Sequence, residues 1–151
     1  DVYRLKQEFP HLFVEINGGI TTLEQVQEQL KFIDAVMIGR AAYDNPYLFA
    51  TVDRDFYGEN TIVSTRHQVA EAMLPYIEYW RSKGLRLNAI SRHMLELFAG
   101  KSGTKAWKRY ISENAHLEGA GIEVIETALE KVPDIFTNTS SKKLVYPTFL
   151  H

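Results

Sequence analysis

The chain has 151 residues, 45% of them hydrophobic and 24% charged, and its formal net charge is -2. That length and apolar content suffice for the core of one ordinary domain or of two small ones. Because the sequence contains no cysteine, it excludes disulfides, thiolate metal sites and cysteine nucleophiles from these residues, and its five histidines lack metal-ligand spacing. No apolar run approaches the roughly 18 residues of a membrane span, and no signal peptide is visible. We therefore expect a cytoplasmic protein with neither a metal site nor a membrane partner.

Charge is strongly segregated along the chain. Between Arg81 and Arg109 there are eight basic residues and one acid, Glu96, so this segment carries a net charge of +7, and the remainder carries -9. A basic segment of this kind is typical of proteins that bind a polyanion. The alternative is a solvated helix face that happens to be basic.

The first part of the chain alternates between helical and strand-like segments. Residues 2–9 predict a helix that Pro10 ends, and residues 12–16 form a short apolar run typical of a buried strand. A T-x-x-E capping box at Thr21 and Glu24 predicts that a second helix begins there.

A second buried run over residues 35–38 precedes Gly39 and Arg40, and a further helix is predicted from about Ala41. Strands that alternate with helices indicate parallel βαβ units. Since two strands do not make a stable parallel sheet alone, we expect further strands upstream. We interpret Asp1 as a cut through a longer protein.

A polar joint over residues 52–64 separates this part from a helical bundle. A capping box at Thr65 and Gln68 predicts a helix to about Lys83, in which Pro75 predicts a kink or break. Further helices are predicted over residues 87–99, 105–114 and 121–132, and an irregular tail from Pro133. The predicted domains are residues 1–58, 59–132 and 133–151.

Aromatic side chains have two interpretations. In the first bundle helix an apolar stripe is predicted, with Val69, Met73, Tyr76, Ile77 and Trp80 facing the core. Exposed rings would instead suit base stacking, for which the candidates are Tyr43, Tyr47, Tyr57, Tyr76, Tyr79 and Trp80. At helical spacing such residues more often belong to a core or its rim.

Two neighbouring strand ends carry residues suited to an anion. Asn17-Gly18-Gly19 follows the first strand, and a bare backbone there lets N–H groups approach a ligand closely. Gly39-Arg40 follows the second strand, and the guanidinium of Arg40 is a forked, permanently charged donor. Two such strand ends, one βα unit apart, are typical of the phosphate site of (β/α)8 barrels. The alternatives are that the glycines only form tight turns and that Asn17 either forms the turn or binds a ligand ring.

The basic segment supplies candidate contacts to a polyanion. Lys105, Lys108 and Arg109 share one face of a predicted helix, and Arg92 lies on the helix before it. Such charges suit the phosphate backbone of folded RNA. Alternatively, Arg92 pairs with Glu96 at i, i+4, and the neighbouring histidine at position 93 is a core residue.

Three stretches closely resemble the tRNA-dihydrouridine synthases, and most nearly their A-type bacterial subfamily, which acts on the D-loop: EINGGITTLEQVQEQL, DAVMIGRAAYDNPYLF and RHMLELFAGKSGTKAWKRYISENAH. The resemblance spans about residues 1–132. It implies the last two strands of an FMN-bearing (β/α)8 TIM barrel, followed by a helical tRNA-binding domain. It further implies that NADPH reduces FMN, which then reduces a uridine of tRNA to dihydrouridine.

The resemblance also implies roles for individual residues. The FMN phosphate and its neighbourhood would be held by Asn17, Gly18, Gly19, Gly39 and Arg40. Contacts to tRNA would come first from Lys105 and Lys108, then from Arg109 and Arg92.

The sequence departs from the family pattern, since the family's flavin-contacting lysine and histidine and its first-strand FMN loop lie upstream of the matched region. The family uses a cysteine as the acid that protonates the uracil ring, and this chain has none. We interpret this as truncation, expect no catalytic residue within the fragment, and expect the fragment to be inactive alone. Two alternatives stay open: a non-catalytic RNA-binding or assembly module, and a different FMN-barrel oxidoreductase with a small-molecule substrate.

Overall fold

The computed structural model describes residues 2–134, and contacts between residues divide the chain into two compact units, Asp1–Val63 and Ser64–His151. The sequence-based boundary after residue 58 stays a prediction. Of the predicted irregular tail, residues 135–151 lie outside the described part of the chain.

The first unit contains a parallel pair of strands with helices around it. Helix α1 (Val2–Glu8) precedes strand β1 (Glu15–Asn17), and α2 (Leu23–Gln29) leads to β2 (Ala35–Met37). The strands run parallel, with Ile16 opposite Val36. The predicted parallel βαβ arrangement is thereby confirmed. After β2 come α3 (Arg40–Asp44), a 3-10 helix (Pro46–Thr51) and α4 (Val52–Tyr57).

Helix α2 begins one residue later than the capping pattern predicted. Thr22 is the N-cap, and its side chain accepts a hydrogen bond from the Gln25 backbone N–H at 3.3 Å. The Gln25 side chain accepts in return from the backbone N–H groups of Thr22 at 3.3 Å and Thr21 at 2.8 Å. The assignment to Thr21 and Glu24 was wrong because the sequence offers two overlapping capping boxes, and this one satisfies two amides with a single side chain.

An ion pair connects α1 to the start of β2. Lys6 Nζ lies 2.8 Å from Asp34 Oδ2, which also accepts a hydrogen bond from the Val14 backbone N–H at 2.8 Å. The hydrogen bond from Lys6 is the main cause of the lowered pKa of Asp34, followed by that from Val14. Electrostatics therefore fix α1 beside the sheet although the helix itself buries no residue.

The predicted polar joint over residues 52–64 is wrong in its first half, since α4 occupies Val52–Tyr57. Asp53 and Asp55 lie in the first turn, where negative charge favours a helix. Gly58 ends the helix in the left-handed conformation, with φ of 68°.

The second unit is a helical bundle, as predicted. Its described elements are α5 (Arg66–Ala72), α6 (Leu74–Ser82), α7 (Leu87–Ser91), a 3-10 helix (Leu95–Phe98), α8 (Thr104–Asn114) and α9 (Ile122–Glu130). The capping box of Thr65 and Gln68 is confirmed, and so is the break before Pro75, which stands in the first turn of α6. The core is centred on Phe98 and Trp107, whose ring centroids lie 4.9 Å apart.

The helix predicted over residues 87–99 is not continuous: α7 stops at Ser91 and a 3-10 helix follows. Backbone N–H groups here bond to the carbonyl three residues back, Met94 to Ser91 at 2.9 Å and Leu97 to Met94 at 3.0 Å, and distant side chains add further bonds. Trp107 Nε1 donates to the Met94 carbonyl at 3.3 Å, and the Arg66 guanidinium donates to the Leu97 carbonyl. These long-range bonds accompany the change from α-helical to 3-10 pairing, and a periodicity argument does not reveal them.

Within residues 2–134, no helix is both long enough and apolar enough to cross a membrane.

Candidate functional site

The carboxyl ends of β1 and β2 open onto one cavity of 690 Å³. Its wall includes all five residues that the sequence singled out at the two strand ends: Asn17, Gly18, Gly19, Gly39 and Arg40. The parallel pairing explains this, because residues that follow adjacent parallel strands emerge at the same edge of the sheet. The two turns therefore line a common space.

The first turn needs glycine for its backbone conformation. Gly18 has φ of 135° and Gly19 has φ of 68°, values that L-residues with a side chain rarely adopt. A Cβ at either position would have no atom within 4 Å. Packing therefore does not explain these glycines, and the space beside them is open to a ligand.

Gly39 is in a different situation. Its φ is -98°, and a Cβ there would meet only the side chain of Met37, at an ordinary 3.8 Å. Neither a positive φ nor crowding among the described residues calls for glycine at this position.

The cavity also includes residues that the sequence analysis did not select, namely Thr21, Asp44 and Asn45. Asn45 Oδ1 is buried and accepts no hydrogen bond from the described residues. A buried acceptor without a partner costs free energy, so it marks a place where a ligand donor would be favourable. The Asn45-Pro46 pair carried a turn signal in the sequence, but nothing in the pattern indicated a buried acceptor.

Three of the four predicted tRNA contacts are exposed and take part in no ion pair within the described chain: Lys105 and Arg109, one turn apart on α8, and Arg92. Lys108 differs, because its Nζ lies 2.5 Å from Glu96 Oε1 and the pair is partly buried. Trp107, which lies between Lys105 and Lys108 in sequence, is completely buried in the core.

Arg92 is exposed, and its Nε donates to His93 Nε2 at 3.0 Å. The alternative interpretation of a core histidine at position 93 was wrong, since that side chain is exposed. The pairing of Arg92 with Glu96 was also wrong, because Glu96 pairs with Lys108. A 3-10 turn replaces the helix on which the i, i+4 spacing depended.

No cluster of three or more histidine, aspartate or glutamate side chains within residues 2–134 is arranged to hold a metal ion.

Comparison with known proteins agrees with this geometry. A model of the dihydrouridine synthase family (Dus) matches residues 1–133. The curated tRNA-dihydrouridine(20/20a) synthase of Synechocystis sp. is 54% identical over 130 residues, which cover 86% of this chain and 39% of that protein.

Two further relatives carry the same name. That of Shewanella oneidensis is 54% identical over 131 residues, covering 87% of this chain and 39% of the relative. That of Vibrio cholerae is 50% identical over 131 residues, covering 87% and 40%. The chain thus spans about two fifths of the length of these relatives, and it belongs to the dihydrouridine synthase family.

Proposed function

We propose that these residues are part of an FMN-dependent tRNA-dihydrouridine synthase, which uses NADPH to reduce a uridine of the tRNA D-loop. The observation that carries the proposal is the shared cavity, in which Gly18, Gly19 and Arg40 line one space. The names of the relatives support tRNA as the substrate of the whole protein.

The cavity fits the phosphate of FMN. A phosphate dianion has acceptors only, so it requires N–H donors and positive charge. Arg40 provides a guanidinium fork, and the open space beside Gly18 and Gly19 admits an anion close to the backbone. Together they form a donor-rich wall.

The same cavity fits the hydroxyl-bearing chain of FMN. Asn45 Oδ1 is a buried acceptor with no donor among the described residues, and Asp44 also lines the cavity. Neither group suits a phosphate, whereas a ribityl hydroxyl donates to such oxygens. We therefore assign Arg40 to the phosphate and Asn45 to the neighbouring polyol.

We assign β1 and β2 to the last two strands of a (β/α)8 barrel. A two-stranded sheet is marginal in isolation, and Phe13 and Phe32 of this unit leave large aromatic surfaces exposed. The relatives are longer than this chain. We assign the elements that would cover these aromatic surfaces to the additional length.

In the second unit we assign contacts with the tRNA backbone to Lys105 and Arg109 on α8, and to Arg92 at the end of α7. Lys108 contributes less, because Glu96 neutralises part of its charge. Exposed cations of this kind suit contacts to phosphates, which position an RNA and are not specific for its sequence.

When bound, FMN supplies the hydride that NADPH has delivered to it. The residues described here bind and orient: one unit holds the cofactor and the other holds the substrate. The uracil ring must leave the stack before it can be reduced. Because this sequence contains no cysteine, we assign the proton donor to another part of the protein and no catalytic residue to this chain.

The test is dihydrouridine formation by the intact protein on an unmodified tRNA transcript, with FMN and NADPH, measured by mass spectrometry. We expect one uridine to gain two hydrogen atoms. Binding of tRNA without flavin or product would favour a non-catalytic RNA-binding module. Flavin reduction without tRNA binding would favour an oxidoreductase with a small-molecule substrate.

A further inference from the structure

Helix α6 presents an aromatic face to solvent. Tyr76, Tyr79 and Trp80 are 50%, 51% and 39% exposed, whereas Ile77 on the same helix is completely buried. Together with Lys83 they follow the spacing i, i+3, i+4 and i+7, which places them on one side of a helix. The predicted apolar stripe was therefore wrong at Tyr76 and Trp80, which lie on the exposed side of α6.

The three rings of this α6 aromatic face support one another. Trp80 makes edge-to-face contacts with Tyr76, at a centroid distance of 6.2 Å, and with Tyr79, at 5.4 Å. The Lys83 ammonium lies 5.6 Å from the Tyr79 centroid. The side chains are thus restrained while their surfaces stay accessible. Binding of a ligand would therefore cost little side-chain conformational entropy.

Charge around the face identifies the class of partner. Lys83 and Arg86 follow directly, within the segment of net charge +7. The acid of α6, Glu78, lies two residues from both Tyr76 and Trp80, which puts it on the opposite side of the helix. A second copy of the chain docked here by a two-fold axis would bring the same cations together. Aromatic rings beside cations instead match nucleobases beside phosphates.

We propose that the α6 aromatic face is a stacking platform for unpaired nucleobases of the RNA substrate. The proposal rests on the proposed function and adds a second kind of contact to it. Residues of α8 meet phosphates, and this binding depends on salt. Stacking on Trp80 and its neighbours contributes affinity that depends little on salt.

The experiment compares three variants of the intact protein: Trp80→Leu, Trp80→Phe and Lys105→Ala. The dissociation constant for tRNA is measured by fluorescence anisotropy over a range of salt concentrations. We expect Trp80→Leu to weaken binding by about tenfold, as for loss of one stacked base, without a change in the slope against salt. Trp80→Phe keeps a π face and should restore most of the affinity. Lys105→Ala should reduce the slope by about 1.

Intrinsic fluorescence provides a second measurement. Of the two tryptophans in this sequence, Trp107 is completely buried. The part of the quenching by tRNA that is present in the wild type and absent in Trp80→Phe should therefore report Trp80. Since Trp80 is exposed, thermal unfolding should show that both its variants stay folded.

Wild-type affinity in Trp80→Leu, or equal affinity of the Leu and Phe variants, would overturn the proposal. So would self-association of the wild type that Trp80→Leu abolishes, because the face would then bind a second copy. If these outcomes occur while Lys105→Ala behaves as expected, only the stacking platform fails. If the wild type does not bind tRNA, the proposed function itself fails.

Discussion

The glycines that line the cavity differ in backbone conformation and in their surroundings. Gly19 has φ of 68°, so an alanine there costs about 1 kcal/mol of folding free energy from backbone strain. Gly39 has neither a positive φ nor a close neighbour. The described residues therefore give no reason for glycine at position 39. A ligand that lies close to the backbone would be such a reason.

Substitution of Gly39 separates folding from binding. We predict that Gly39→Ala leaves the free energy of unfolding within about 0.5 kcal/mol of wild type and weakens FMN binding by about tenfold, because the methyl group overlaps the cofactor. Flavin fluorescence titration and urea unfolding of the intact protein measure the two effects. Gly19→Ala is the matched control for strain. Unchanged FMN affinity in Gly39→Ala would show that the cofactor does not approach this turn.

The sequence predicted which residues lie at the strand ends better than it predicted the burial of individual side chains. The glycines and Arg40 could be placed at strand ends because parallel strands share an edge. The buried acceptor of Asn45 could not be predicted, because its burial depends on tertiary packing and not on the residue type. Likewise, the exposure of Tyr76 and Trp80 depends on how α6 is oriented after its break.

Helix boundaries were predictable where they are set by residues that act on their neighbours in sequence. The capping box at Thr65 and the break before Pro75 were confirmed because both act through neighbours in sequence. The prediction of one helix over residues 87–99 was wrong in its second half, where the backbone pairs as a 3-10 helix and the distant side chains of Arg66 and Trp107 bond to its carbonyl groups.

The contact between α1 and β2 should depend on pH. The pKa of Asp34 is lower in the folded chain than its ordinary value of 3.8, chiefly because Lys6 donates to it. A carboxyl group with a lowered pKa stabilises the fold above the unfolded pKa, and this contribution is lost as the pH falls through the folded pKa. We predict that Asp34→Asn unfolds at lower urea than wild type at pH 7, and that the difference disappears on acidification below about pH 4.

The control for this pH dependence is Lys6→Met, which removes the partner and should reproduce the loss at neutral pH. A difference between wild type and Asp34→Asn that persists unchanged in acid would contradict the assignment.

In the bundle, the start of α8 lies very close to the chain after α9. A Cβ on Gly103 would lie 2.8 Å from the Lys131 carbonyl oxygen and 2.9 Å from Val132 Cα. Gly119 has a similar φ, 80° against 85°, but open space around it. We predict that Gly119→Ala costs about 1 kcal/mol and that Gly103→Ala costs a further 1–3 kcal/mol or so, from overlap with the backbone. Thermal unfolding measures both, and equal losses would contradict the close approach.

At the scale of the whole molecule, the proposed function gives the two units separate tasks, with the cofactor assigned to one and the tRNA to the other. Family membership accounts for both, but the sequence did not reveal that one basic residue has an acidic partner. The ion pair of Lys108 with Glu96 joins a 3-10 turn to α8, and it depends on the break that the periodicity did not predict.

We predict that Glu96→Gln releases Lys108 and strengthens tRNA binding by about threefold, the scale of a partly exposed ion pair. The salt dependence should become steeper, because one more cation is available to a phosphate. Anisotropy titration of the intact protein measures both quantities. Weaker binding in Glu96→Gln would indicate that Lys108 needs its partner to be positioned.

The proposed FMN site requires that Arg40 and the two glycine turns bind a single phosphate. Its most direct test is the ratio of dissociation constants for riboflavin and FMN, measured in the intact wild type, in Arg40→Lys and in Arg40→Ala. We predict that the wild type prefers FMN, and that Arg40→Ala loses about tenfold or more of this preference, the scale of a charge-assisted hydrogen bond. Riboflavin affinity should stay constant, and Arg40→Lys should be intermediate because it keeps the charge without the fork. An FMN preference that survives intact in Arg40→Ala would show that the phosphate binds elsewhere and would contradict the account.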